Sequence, residues 1–109
     1  MNRKETGMPR QPNTNSRGGA FDAATINAAW NKGKTVPGSD PAVWRKDACN
    51  MFIKRSEYGT LTANGWEVDH IMPVAKGGGD NLDNLQPLHW RNNRHKGDNY
   101  PQWTCAVAA

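Results

Sequence analysis

The chain has 109 residues and a formal net charge of +4, which leaves room for one compact domain of ordinary size. Only 36% of its residues are apolar, so the core is small, and five Trp supply much of the area it can bury. No apolar run reaches bilayer-spanning length, the first residues lack the apolar centre of a secretion signal, and two cysteines do not make a disulfide scaffold. Cys49 and Cys105 are therefore expected as free thiols in a reducing compartment, and the protein as cytoplasmic.

Residues 1–20 are rich in Gly, Pro, Asn and Arg, with Arg3, Lys4, Arg10 and Arg17 against Glu5 alone. They are expected to be a disordered basic tail. Such an arm suits a polyanion through counterion release, and a solvated tail reads equally well. The folded domain is expected over residues 21–109. Asp22 can cap a helix Ala23–Trp30, with Phe21 and Ile26 at hydrophobic-staple positions around the cap. Asn31 and Gly33 stop that helix, and Val36-Pro37-Gly38-Ser39 reads as a turn. Asp40-Pro41 is a second helix start, which predicts a helix over residues 41–49. Residues 51–55 fit either its continuation or a short strand, and residues 60–65 a polar loop.

From Trp66 the pattern changes. Trp66-Glu67-Val68-Asp69-His70 alternates apolar and polar residues, as a half-buried strand does, with Trp66 and Val68 inward. A loop rich in breakers follows, containing Pro73 and a flexible turn at Gly77-Gly78-Gly79. Residues 85–88 read as a second short strand, placed at an edge by Pro87. Trp90–Lys96 reads as a short helix closed by Gly97.

This strand–loop–strand–helix stretch carries Asp69, His70, Asn84, His89, Asn93 and His95. An isolated Asp-His pair does no chemistry more often than not. Convergence gives this one weight. Asp69 and a helical Asn can offer two hard oxygen ligands to Mg²⁺, with water completing the shell. His70 beside them can take a proton from an attacking water near neutral pH.

Residues 66–101 resemble the HNH endonuclease motif, through Asp69-His70-Ile71, Pro73, Gly77-Gly78, Asn84-Leu85-Gln86, Leu88, and Asn93 followed by Lys96-Gly97-Asp98. The resemblance implies an α+β fold: a ββα-metal (His-Me) finger preceded by helical segments. It implies a metal-dependent endonuclease that hydrolyses DNA phosphodiesters, nicking by default and leaving 5′-phosphate and 3′-hydroxyl ends. By position, His70 corresponds to the general base, Asp69 to the acidic metal ligand, and Asn84 to the Asn that holds the loop and orients the base. Asn93 falls at the third position, as in family members with Asn there, and serves as the second metal ligand. Mg²⁺ or Mn²⁺ is the implied cofactor. His89 and His95 flank Asn93 and are the alternative ligands.

Many members also carry two Cys-x-x-Cys pairs on a structural zinc, which this chain cannot assemble, so no structural zinc is expected. His89 fits a packing role at a strand end, and His95 a solvated or phosphate-facing one. Arg91, Arg94 and Lys96 are expected on the DNA backbone, with an ordinary solvated helix face as the alternative. Trp90 and Trp103 fit core or lid positions. The implied partner is DNA, with RNA left open, bound by a monomer or weak dimer and without a membrane. The alternative function is a nucleic-acid-binding module on an HNH scaffold that has lost catalysis.

Overall fold

Asp22 opens the first helix as its sequence predicts. Its side chain accepts a hydrogen bond from the Thr25 amide at 2.7 Å, and α1 runs Ala23–Trp30. The structure, a computed structural model, describes residues 10–109. After α1 come β1 (Lys34–Thr35), β2 (Trp44–Lys46), β3 (Phe52–Lys54), β4 (Trp66–His70), β5 (Leu85–His89) and α2 (Trp90–Lys96). Single 3₁₀ turns lie at Arg55–Glu57, Val74–Lys76 and Leu82–Asn84. Strands β1, β2 and β3 form one antiparallel sheet, and β4 and β5 a separate antiparallel hairpin. The result is a small mixed α/β domain.

The helix expected over residues 41–49 is not there. Asp40 accepts from the amides of Ala42, Val43 and Trp44, which completes one turn and then releases the chain into β2. Asp47 next folds the chain back. Its Oδ1 accepts from the Cys49 and Met51 amides at 2.9 Å each, and Asn50 takes φ of 62°. A tight reversal there is incompatible with helix, and in β2 the Trp44 ring packs edge-on against Phe52 of β3, with centroids 6.3 Å apart. Residues 52–54, left open between helix and strand, are β3.

The free thiols are also overturned, because Cys49 and Cys105 form a disulfide. After α2 the chain doubles back and Asn92 holds it, accepting from the Ala106 and Val107 amides and donating to the Val107 carbonyl. That return brings Cys105 to a Cα–Cα distance of 5.9 Å from Cys49. The cytoplasmic expectation, which rested on reduced thiols, loses its premise.

The core lies between α1, β3 and the β4–β5 hairpin. Trp30 and Trp66 meet with ring centroids 5.1 Å apart, and Phe21, Ala29, Ile53, Val68 and Leu85 complete the cluster. Strand β4 is buried at all five positions rather than on one face. Trp66, Val68 and His70 share one face, and Val68 and Trp66 belong to the core. Glu67 and Asp69 point the other way and find polar partners on α2 and β5. Pro87 fits in β5 because it pairs with Val68, whose amide donates away from the ladder to Asn13 Oδ1 at 2.9 Å. At such a pair the ladder asks Pro87 for no donor.

Residues 10–20, expected to continue the disordered tail, contain no helix or strand but are tied to the domain at two places. Asn13 Oδ1 accepts from Val68 and from the Tyr58 hydroxyl, and Ser16 binds Asp80. The rest of that tail lies outside the described residues.

Candidate active site

The loop between β4 and β5 is built around Asn84. Its Oδ1 accepts from the Met72 amide at 2.8 Å, and its Nδ2 donates to the carbonyls of Met72 and Gly79 at 3.0 and 2.9 Å. Gly78 lies so close to this knot that a Cβ would overlap the Met72 carbonyl, so the glycine run is tightly packed at its centre, contrary to the flexible turn expected. The loop thereby presents Asp80 to the end of β4. There, Asp80 Oδ1 lies 2.8 Å from His70 Nε2. Burial pushes the Asp80 carboxyl up, but hydrogen bonds from His70 and Ser16 outweigh it and hold the group below its usual range.

Asp69, His70, Asn93 and Arg94 line one cleft, whose other wall includes Asn13 and Thr14. Asp69 is buried, with Oδ2 accepting from Gln86 at 2.9 Å and Oδ1 lying 3.3 Å from Lys96 Nζ. Burial pushes the Asp69 carboxyl up, against the lowering pull of Gln86, Lys96 and His70. Asn93 donates through Nδ2 to Glu67 Oε1 at 2.9 Å, which fixes the rotation of its amide. Glu67 Oε2 in turn accepts from Arg94 at 2.9 Å. Asn84 supports the loop from outside the cleft lining.

The remaining expected site residues are elsewhere. His89 is buried at the start of α2, where Nδ1 accepts from the Arg91 amide and Nε2 donates to the Ala63 carbonyl, so both nitrogens are committed. His95 is exposed, with Nε2 3.0 Å from Thr104 Oγ1. Arg91 is exposed, with its guanidinium 4.8 Å from the Trp90 ring centroid. Lys96 departs from its expected surface role. It is 1% exposed, and its ammonium donates to the His70 carbonyl at 2.9 Å and faces Asp69, because α2 packs that side onto β4. Trp103 is half-buried, 6.0 Å from the Lys96 ammonium.

Sequence reasoning missed Glu67, Gln86, Asp80 and Ser16. Glu67 carried a signal, since it stands two residues before Asp69 and so shares its strand face. Gln86 did too, opposite Asp69 across the hairpin. Ser16 carried none, for it meets Asp80 across 64 residues.

The donor set suits a hard divalent cation. Asp69 is a carboxylate whose burial its partners do not fully offset, and Asn93, its amide nitrogen occupied by Glu67, lines the same cleft with an amide oxygen as its remaining donor atom. Among the described residues no cluster of three or more His, Cys, Asp or Glu forms a metal cage, so water would complete the shell. A family model described as HNH endonuclease matches residues 48–99. No curated protein and no solved structure matches the chain.

Proposed function

Residues 48–99 belong to the HNH endonuclease family, and from that premise we propose that the protein is a metal-dependent nuclease that hydrolyses DNA phosphodiesters. The observation that carries this reading is the meeting of Asp69, His70 and Asn93 in one cleft, with His70 held through Nε2. If Nε2 carries the proton and gives it to Asp80, Nδ1 keeps its lone pair and serves as the base. A proton passes from the attacking water to Nδ1, the water oxygen bonds phosphorus, and the bond to the 3′ oxygen breaks. The electron pair of that bond leaves on the 3′ oxygen, which takes a proton from solvent. The products are a 5′-phosphate and a 3′-hydroxyl.

In this reading Asp69 and Asn93 would hold Mg²⁺ or Mn²⁺, which would supply positive charge to offset the negative charge that develops as the phosphodiester is cleaved. Asn84 keeps the β4–β5 loop, and so Asp80, in place. Glu67 holds the Asn93 amide by its nitrogen, so that the oxygen is the atom offered as ligand. Arg94 and Arg91, both exposed, contact the DNA backbone. The finger has a single centre, so a monomer nicks one strand per encounter.

A second reading, a binding module without catalysis, is favoured by one contact: Lys96 already supplies a positive charge to Asp69. Incubation of supercoiled plasmid with and without Mg²⁺ or Mn²⁺ separates the two. Relaxed circles that need the metal, and that His70→Ala lowers by about a hundredfold or more, support the nuclease. DNA binding without relaxation under either metal supports the module.

A further inference from the structure

We propose that residues 13–16 are a working part of the active site, with Ser16 and Asp80 positioning the His70 imidazole as a proton acceptor. The proposal rests on the reading of His70 as the general base and adds the device that orients it. Ser16 grips Asp80 with two groups: its amide lies 3.0 and 3.2 Å from the two carboxylate oxygens, and its hydroxyl donates to Oδ2 at 2.7 Å. The Asp80 oxygen that receives the shorter amide contact, Oδ1, is also the one 2.8 Å from His70 Nε2. An ionised carboxylate only accepts, so in the neutral imidazole this contact favours the tautomer with its proton on Nε2, whose Nδ1 keeps its lone pair.

Asp80 needs such a grip because it sits on an exposed loop, with 39% of its side chain open to solvent. A lone exposed carboxylate would sample several rotamers, and its hold on the ring would be intermittent. Asn13 fixes the gripping segment itself. Its Oδ1 accepts from the Val68 amide and the Tyr58 hydroxyl at 2.9 Å each, anchoring the segment beside β4 two residues before His70. The Phe21 ring packs beside the His70 ring, with centroids 5.7 Å apart and planes tilted by 41°. The base is thus steered by chain that lies outside the region matched by the family. Ser16 and Asp80 are positioning residues, since they touch His70 and not the phosphate.

The test reads the ring directly, through long-range proton–nitrogen correlation spectra of ¹⁵N-histidine protein at a pH where the imidazole is neutral. His70→Gln identifies the His70 signals by their loss. The expected result is an Nε2–H tautomer in the native protein, retained in Asp80→Asn, whose amide oxygen still accepts. In Asp80→Ala the tautomers mix, and Ser16→Ala falls between. Plasmid relaxation by Asp80→Ala then falls by roughly tenfold or more in kcat, with KM unchanged. Backbone spectra matching the native protein confirm that each variant is folded. Unchanged His70 nitrogen shifts in both Asp80→Ala and Ser16→Ala would overturn the proposal. Absence of relaxation by the native protein would overturn the nuclease reading instead, and the tautomer shifts would still decide the positioning.

Discussion

Asp47 and Asp69 are both buried in the same small domain, 1% and 5% exposed, yet they are held in opposite ways. Asp47 takes four hydrogen bonds, all from neutral donors: the Cys49, Met51 and His89 amides and the Asn92 side chain. It ties the β2–β3 turn to the head of α2 and leaves no lone pair obviously in want of a partner. Asp69 has one neutral donor, Gln86, and one ammonium at the long distance of 3.3 Å, and burial still pushes its carboxyl up. A saturated carboxylate is a structural pin. An undersupplied one, in a cleft beside a histidine, is where an added cation gains most.

Four experiments test this contrast. The largest effect is expected of Asp47→Ala, which orphans four donors, three of them backbone amides, at the junction of two elements. The loss should be on the order of 5 kcal/mol, enough to lower Tm by 20 °C or more. Thermal unfolding followed by circular dichroism checks it, and a fall of only a few degrees would mean that Asp47 is no pin. The disulfide beside it comes next. Cys49 and Cys105 are separated by 56 residues, for which loop entropy gives about 4 kcal/mol. Urea unfolding with and without reductant should give extrapolated stabilities that differ by about that amount, with a steeper slope once the bond is reduced, because the cross-link restrains the unfolded chain.

Lys96→Met bears on the other aspartate. It removes the only cation paired with Asp69 among the described residues and leaves a buried carboxylate, at a cost of about 3 kcal/mol. Mg²⁺ should then raise the Tm of the variant more than that of the native protein, because the ion takes over the charge. Equal shifts, or none, would count against a cation at Asp69.

The strand–loop–strand–helix order from Trp66 to Lys96 was legible because its signals are local: alternation, breakers, a proline at an edge, a glycine stop. Helix α1 was legible for the same reason, through the Asp22 cap. The segment 41–49 was misread because Asp40-Pro41 is a true start signal whose single turn is cut short by a side chain, Asp47, acting on residues ahead of it. The disulfide and the Ser16–Asp80 contact depend on how the two chain ends return to the domain, which no local pattern encodes. At the site, the cleft residues could be placed from the motif. Of their partners, Glu67 and Gln86 were signalled by strand register, whereas Ser16 and the burial of Lys96 against Asp69 were not.

Asp80 gives the smallest effect and the one whose sign is set most directly by the contact itself. Its carboxyl is held below the ordinary value of 3.8, because hydrogen bonds from His70 and Ser16 outweigh burial. The folded protein therefore gives up this proton at lower pH than the unfolded chain does. Between the two values it binds fewer protons than the unfolded chain, and stability rises with pH. The contribution of Asp80 is present above about pH 3.8 and is lost as pH falls through the lowered folded value. With 39% of the side chain in solvent, screening limits the gain to a few degrees of Tm at most. Melting curves of the native protein and Asp80→Asn should accordingly lie slightly apart at pH 5 and converge toward pH 2.5. A gap that persists or widens at the acid end would show that the carboxylate charge is not what holds Ser16 and His70 together.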